Sequence, residues 1–323
     1  MAAERRFRAM GSEAHVILVG GPIGLLDTAV HRIADLEAKW SRFLPDSEVC
    51  EINRGAGTAV SVSDDTVVLV RRAIEAWSLS GGAFDPTLLG AITRAGYGRS
   101  FELLETADTD AGPPPLGIGA AGIAVDGSTV RLPRRTGFDP GGIGKGLAAD
   151  VVCAELLDAG AAGACINLGG DLRVAGTGPD GLGWTVGVEH PWLTAPFVLL
   201  GVADGAVATS TTLRRRWRVG EEERHHVIDP QTGRSSTTDL TTATVVAAEA
   251  WMAEVYAKAV LLAGSAHPFD ILGGTGAEGI AVDGAGAVSA TAGLAGYLGG
   301  AAAPREVRWT AGRRAERIPC KSA

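Results

Sequence analysis

The stretch GFDPGGIGKGLAAD, residues 137–150, constrains this chain more than any other. Gly141, Gly142, Gly144 and Gly146 surround Lys145, and an amphipathic run follows over 147–157. The pattern predicts a glycine-rich loop that opens a helix. Glycine lets backbone N–H groups come close to a ligand, and a helix N-terminus favours anions. Lys145 adds a mobile positive charge at the same place. A phosphate-bearing ligand is one expectation; an ordinary tight turn in a chain rich in Gly and Ala is the other. Two familiar phosphate loops are excluded. A Walker loop needs Gly where Asp139 stands and Ser or Thr where Gly146 stands. The dinucleotide fingerprint needs G-x-G-x-x-G, whereas Gly142, Gly144 and Gly146 are spaced G-x-G-x-G.

The 323 residues suffice for one large domain or two smaller ones. Aromatic residues make up only 5%, so the core must rely on Val, Leu, Ile and Ala. A net charge of -8 argues against general nucleic-acid binding, so a phosphate must be held by local groups. Cys50, Cys153, Cys165 and Cys320 form no C-x-x-C pair, and neither a disulfide framework nor a zinc site is expected. Cys153 and Cys165 lie in apolar runs and read as inert core thiols. The start, MAAERRFRAM, has no apolar core segment, and no apolar span reaches about eighteen residues. We expect no signal peptide, no membrane insertion and a cytoplasmic location.

Along the chain, residues 7–19 read as a strand and 22–43 as a helix, followed by a loop over 41–53 (SRFLPDSEVCEIN). Ser63 reads as the N-cap of a helix that Gly81-Gly82 stops. Asp85 in GGAFDP is either a plain Asp-Pro turn or an exposed functional carboxylate. FDP recurs at 138–140, a hint of duplication. Residues 104–116 are polar and Pro-rich, which suits a surface loop. Asn167 and Asp171 flank Gly169-Gly170 in what is a hairpin turn or a ligand-contacting strand end. Thr209 and Ser210 precede a basic run with an acidic arm after it. A hairpin with cross-strand ion pairs explains that run, and a basic wall near a diphosphate is the alternative. His226, before the turn DPQTG, is either a satisfied structural histidine or a general base. A helix is expected over 249–262, on which Glu254 and Lys258 share a face as a surface ion pair would. From Pro304 the tail is basic.

Taken in order, AMGS, SRFLPDSEVCEIN, GGAFDP, FDPGGIGKGLAAD, INLGGD, VATS, HHVIDPQTG and AEVYAKAVLLAG resemble the FAD:protein FMN transferase (ApbE-like) family. The match covers roughly residues 7–265. The resemblance implies an α+β fold of mixed, largely antiparallel sheets flanked by helices, two-lobed, with FAD in the cleft. It assigns 1–300 to that domain and 301–323 to a basic, disordered tail.

The activity it implies is Mg²⁺-assisted cleavage of FAD. FMN is joined through a phosphoester to a threonine of an acceptor flavoprotein bearing an Asp/Ser-Gly-x-Thr motif, and AMP leaves. A threonine hydroxyl needs a base, and the departing bridging oxygen needs neutralisation. By resemblance, Met10, Phe43, Ala83, Phe84 and Asp85 line the flavin and adenosine pocket. Asp139 and Lys145 contact FAD, Lys145 also taking a catalytic part. Asn167, Asp171, Thr209 and Ser210 support the site, His226 is the base, and Ile228 packs near the flavin. The Gly142 carbonyl and Glu254 stand at the metal.

Two departures follow. Family members often carry Asp and Thr as magnesium ligands where this chain has Glu254 and Lys258. A charged lysine cannot bind a metal, though its ammonium can replace part of the metal's role. Ser210-Thr211-Thr212-Leu213 stands where Ser-Gly-Asp-Tyr is frequent. Two alternatives remain at this point: an FAD-binding carrier or regulator without transfer, and an FAD pyrophosphatase releasing FMN and AMP.

Overall fold

Period-two alternation of side chains builds a sheet with two different faces. The structure, a computed structural model, describes residues 2–101, 117–298 and 307–310, so the loop expected at 104–116 lies outside the described residues. The chain opens with β1 (Ala2–Ala9) and β2 (Ser12–Val19). Met10 (φ 50°) and Gly11 (φ 65°) join them in a two-residue turn with both residues left-handed, as type I′ hairpins require. Then come α1 (Leu25–Trp40), α2 (Glu48–Arg54), β3 (Val60–Ser61), α3 (Asp64–Leu79) and α4 (Leu89–Arg94). Strands β4 (Ala124–Asp126) and β5 (Thr129–Arg131) pair with β3 in a small sheet ahead of α5 (Gly144–Asp158).

Five strands follow α5: β6 (Gly163–Leu168), β7 (Asp171–Gly176), β8 (Trp184–Val188), β9 (Val198–Val202) and β10 (Gly205–Thr211). Two short hairpins come next, β11 (Arg216–Val219) with β12 (Glu222–His225) and β13 (Ile228–Asp229) with β14 (Arg234–Ser235). The described chain ends with β15 (Leu240–Ala247), α6 (Ala250–Ala263), β16 (Glu278–Asp283), β17 (Val288–Thr291) and β18 (Val307–Thr310).

Nine strands form the main sheet in the order β1-β2-β6-β7-β10-β15-β16-β17-β18. Every pair is antiparallel except β17 with β18. One face turns Val16, Leu18, Ile166, Leu168, Ala206, Ala208, Ala243 and Val245 toward α5 and α6. The alanines of β10 and β15 leave room for α6 to lie close. The other face, with Leu172, Val174, Val207, Val246 and Ile280, is covered by Trp184, Val186, Leu200 and Val202 of the β8–β9 hairpin. Burial on both faces explains why these strands read as apolar runs. A third cluster sets Tyr97 and Trp217 against Ala91, Ile92 and Ile228. The expected α+β class with largely antiparallel sheets and flanking helices is what forms.

Local expectations differ in five places. The strand expected over 7–19 is broken by the Met10-Gly11 turn into β1 and β2. The helix expected over 22–43 starts at Leu25 and stops at Trp40. The loop expected over 41–53 contains α2, because the Ser47 hydroxyl accepts from the Cys50 N–H at 3.1 Å and Val49 and Ile52 are buried. Ser63 stands at the α3 N-cap, but its hydroxyl donates to Glu48 at 2.8 Å instead of capping the helix. Of the tail expected from 301, residues 307–310 form an edge strand, and the remainder lies outside the described residues. Burial pushes the Cys153 and Cys165 thiols up to about 11 and about 12, consistent with inert core positions.

Candidate active site

The two FDP triplets make the same turn. Asp85 accepts from the Thr87 N–H at 2.8 Å, and Asp139 accepts from the Gly141 N–H at 2.9 Å. Aspartate suits this because its short carboxylate reaches the backbone two residues on. The turns lie side by side: the Asp139 N–H donates to the Pro86 carbonyl at 2.8 Å, and Leu88 bridges Gly137. Asn53 clamps the second triplet, donating to the Phe138 carbonyl at 2.9 Å and accepting from the Phe138 N–H at 2.6 Å.

The glycine-rich turn is seated on α6. The Gly146 N–H donates to Glu254 Oε2 at 2.8 Å, and a β-carbon at Gly146 would run into the Ala250 carbonyl. That glycine therefore serves the approach of two helices, and a carboxylate of the protein already accepts from the N-terminus of α5. One turn later, Asp150 accepts from the Ala250 and Trp251 N–H groups at 2.8 and 2.9 Å. It caps α6 from a different helix, since Glu249 makes no cap bond.

These elements enclose a cavity of about 270 Å³. Its walls are the β1–β2 tip (Met10, Gly11), residues 40–44, the first FDP turn, α4 with Tyr97, the glycine-rich turn, and Arg215, His226, Ile228 and Lys258. Met10, Phe43, Ala83, Phe84, Asp85, Asp139, Gly142, Lys145, His226, Ile228 and Lys258 thus share one cavity. Asn167, Asp171, Thr209, Ser210 and Glu254 are not in its wall. Asn167 closes its own turn by accepting from the Gly170 N–H at 2.9 Å. Thr209 shares a 2.8 Å hydrogen bond with Thr244 across the sheet, and Ser210 is half-buried on β10. Asp171 and Glu254 are buried behind Lys145, whose ammonium donates to Asp171 and, at 2.9 Å, to Glu254 Oε1.

Two expectations change accordingly. Glu254 and Lys258 do not form a surface pair: Glu254 is only 4% exposed and joins Lys145. Asp85 is not an exposed carboxylate, because it also accepts from the Thr87 hydroxyl at 2.6 Å and the Gly119 N–H at 3.2 Å.

Of two cationic wall residues, sequence reasoning passed over Arg42 and met Arg215 only as one member of the basic run. The Arg42 side chain is 8% exposed, lies 3.5 Å from Asp139, and donates to the Tyr97 carbonyl at 2.8 Å. Its guanidinium sits 4.1 Å from the Phe43 ring centroid and 4.7 Å from that of Tyr97, within cation–π range of both. Arg42 lies inside the SRFLP stretch, next to the Phe43 that was singled out. Arg215 has a left-handed backbone (φ 51°) and donates to the Gly11 carbonyl at 2.9 Å. In the basic run Arg216 pairs with Glu223 across the hairpin at 2.8 Å, as the first reading expects, while Arg215 turns to the cavity.

The two adjacent histidines differ completely. His225 uses both ring nitrogens, with Ser236 at 3.0 Å and Val227 at 3.3 Å. His226 has a buried Nδ1 with no hydrogen-bond partner among the described residues. Burial, then the nearby charges of Arg215, Lys258 and Lys145, holds its pKa well below the ordinary value, so the ring is neutral. A buried polar atom without a partner is rare in folded proteins, and it sets this histidine apart from its neighbour. Trp40 Nε1, on another wall residue, is likewise buried and unpartnered.

The fold is an α+β protein with a largely antiparallel sheet, and its cavity combines an aromatic wall, cations and a histidine. The chain belongs to the ApbE family, whose model matches residues 10–281. It is 26% identical over 247 residues to an FAD:protein FMN transferase of Vibrio cholerae, covering 74% of this chain and 73% of that one. A second FAD:protein FMN transferase, from Treponema pallidum, is 30% identical over 239 residues, covering 68% of this chain and 66% of the other. The crystal structure of the ApbE protein from Thermotoga maritima superposes with a TM-score of 0.82 at 24% identity, over 92% of this chain and 99% of its own.

Proposed function

We propose that the protein transfers the FMN moiety of FAD to a threonine hydroxyl of an acceptor flavoprotein and releases AMP. The curated relatives are named FAD:protein FMN transferase, which supports FMN transfer from FAD to a protein. The observation that carries the chemistry is His226, neutral and unpartnered beside Arg215 and Lys258 in one cavity. Met10, Phe43, Phe84 and Ile228 offer an apolar wall to the isoalloxazine. Arg42, Arg215 and Lys258 face the diphosphate. The acceptor's threonine oxygen attacks the FMN phosphorus while His226 takes the hydroxyl proton. The new O–P bond forms, the bridging P–O bond breaks, and its electron pair leaves with AMP. The acceptor presents an Asp/Ser-Gly-x-Thr motif. No described helix is long and apolar enough to cross a membrane.

Magnesium fits this chain poorly. It takes oxygen ligands, yet both Glu254 oxygens are engaged, by Lys145 and by the Gly146 N–H. Lys258 brings an ammonium where an oxygen ligand is expected.

Incubating the protein with FAD and an acceptor domain, then recording intact masses, tests the reading. Gain of one FMN on the acceptor is expected. Free FMN without adduct indicates hydrolysis, and bound intact FAD indicates a carrier; either overturns transfer.

A further inference from the structure

We propose that the Lys258 ammonium takes the place of a divalent cation on the FAD diphosphate, so that this chain binds and cleaves FAD without a metal ion. The inference rests on the reading that the cavity holds FAD. Lys258 projects from α6 into the cavity wall and makes no hydrogen bond or ion pair among the described residues. The carboxylate one helical turn away, Glu254, faces Lys145 and Gly146 instead. Lys145 is held between Glu254 and Asp171, so it brings little uncompensated charge to a ligand.

Lys258 also has a seat. Its Nζ lies so close to Gly142 that a β-carbon there would collide with it, and the Phe84 ring centroid is 5.7 Å away. Glycine at 142 therefore admits the ammonium to the turn where the family resemblance expects a metal-binding carbonyl. Leaving an ammonium inside a protein without a counter-charge is costly. Burial lowers the Lys258 pKa, while Glu254 and Asp139 act to raise it. A diphosphate in the cavity would supply an anion in direct contact, which neither carboxylate does, and be held by it. During transfer the same charge would face the bridging oxygen as it departs with AMP, with no proton exchanged.

The test measures FAD affinity of the full chain by flavin fluorescence, in EDTA and then with excess Mg²⁺, alongside Lys258→Met and Lys258→Thr. Mn²⁺ electron paramagnetic resonance of the FAD complex reads bound metal directly. We expect wild-type affinity to change by less than about twofold between EDTA and Mg²⁺, with no Mn²⁺ bound. Lys258→Met should weaken FAD by about tenfold or more, the scale of one charge-assisted contact. Lys258→Thr should become responsive to Mg²⁺. Tenfold tightening of the wild type by Mg²⁺, or one Mn²⁺ per FAD complex, overturns the inference and leaves the transferase reading intact. Failure to bind FAD in either condition overturns both. The wild-type arms need no variant to fold.

Discussion

His225 and His226 are chain neighbours with opposite surroundings, and the contrast assigns their roles. His225 is locked by Ser236 and Val227 and cannot accept a further proton without losing a bond. His226 is unengaged, and its depressed pKa keeps it in the form that accepts one. His226→Ala should lower the transfer rate by on the order of 10²–10⁴ while leaving FAD affinity within a few-fold, checked by single-turnover mass spectrometry and fluorescence titration. Among the causes of its low pKa are Arg215, Lys258 and Lys145, whose charges a bound diphosphate would offset. Its pKa should therefore rise when FAD binds, and an imidazole resonance followed by NMR across pH in both states checks the sign. At the same scale, Gly142→Ala should displace Lys258 and weaken FAD by about tenfold. Its thermal midpoint should move little if the steric effect stays at the ammonium.

Elements are joined by carboxylates that the sequence pattern does not assign. Asp65, in the first turn of α3, accepts from both Arg32 and Lys39 of α1 at 2.6–2.8 Å. The Arg32 guanidinium is the main reason its pKa falls to about 2 from 3.8. The folded pKa is depressed, so this contribution is complete above about pH 4 and is lost as pH falls through 2. Asp65→Asn should cost about 1 kcal/mol at neutral pH in urea unfolding and less at pH 2. Asp150 behaves oppositely. Burial pushes its carboxyl up to about 7 from 3.8, against the pull of the two α6 N–H groups and Arg173. A raised pKa means its contribution is fullest below pH 3.8 and is lost as pH rises through 7. Asp150→Asn should flatten that slope in urea unfolding between pH 4 and 8. It should also cost about 1–3 kcal/mol, since an amide N–H then faces the helix N–H groups. Helix α2 was hidden because Pro45 and Asp46 signal a turn, while the Ser47 cap and two buried side chains decide the outcome. Glu254 was misread for another reason. Spacing along a helix reports which residues share a face, but its partner Lys145 is 109 positions away in the chain.

For the whole molecule, the turn between β6 and β7 was legible as a hairpin, one of two readings, and the ordered motifs were legible as one family. Invisible in sequence was the layering, in which helices cover one face of the sheet and the β8–β9 hairpin covers the other. Also invisible was the separate cluster that backs the cavity, since Tyr97 and Trp217 come from distant segments and meet with ring centroids 5.4 Å apart. Trp217 Nε1 also donates to the Ala95 carbonyl at 2.7 Å. Trp217→Ala should therefore raise hydrogen exchange in α4 and the β11–β12 hairpin while β6, β7 and β10 stay protected, because stability is held in local units. The same variant should weaken FAD binding, as the cavity loses its backing.

The first strand of the main sheet has a consequence for the solution behaviour of the protein. Among the described residues β1 pairs with β2 alone, which leaves its other side as an open hydrogen-bonding edge. Along that edge Glu4, Arg5, Arg6 and Arg8 follow one another, with nearly every side chain exposed. Clustered charge of this kind resists the addition of a strand from a neighbouring molecule. The charged side chains of this edge are of the kind that disfavours edge-to-edge pairing, a feature separate from anything the cavity does.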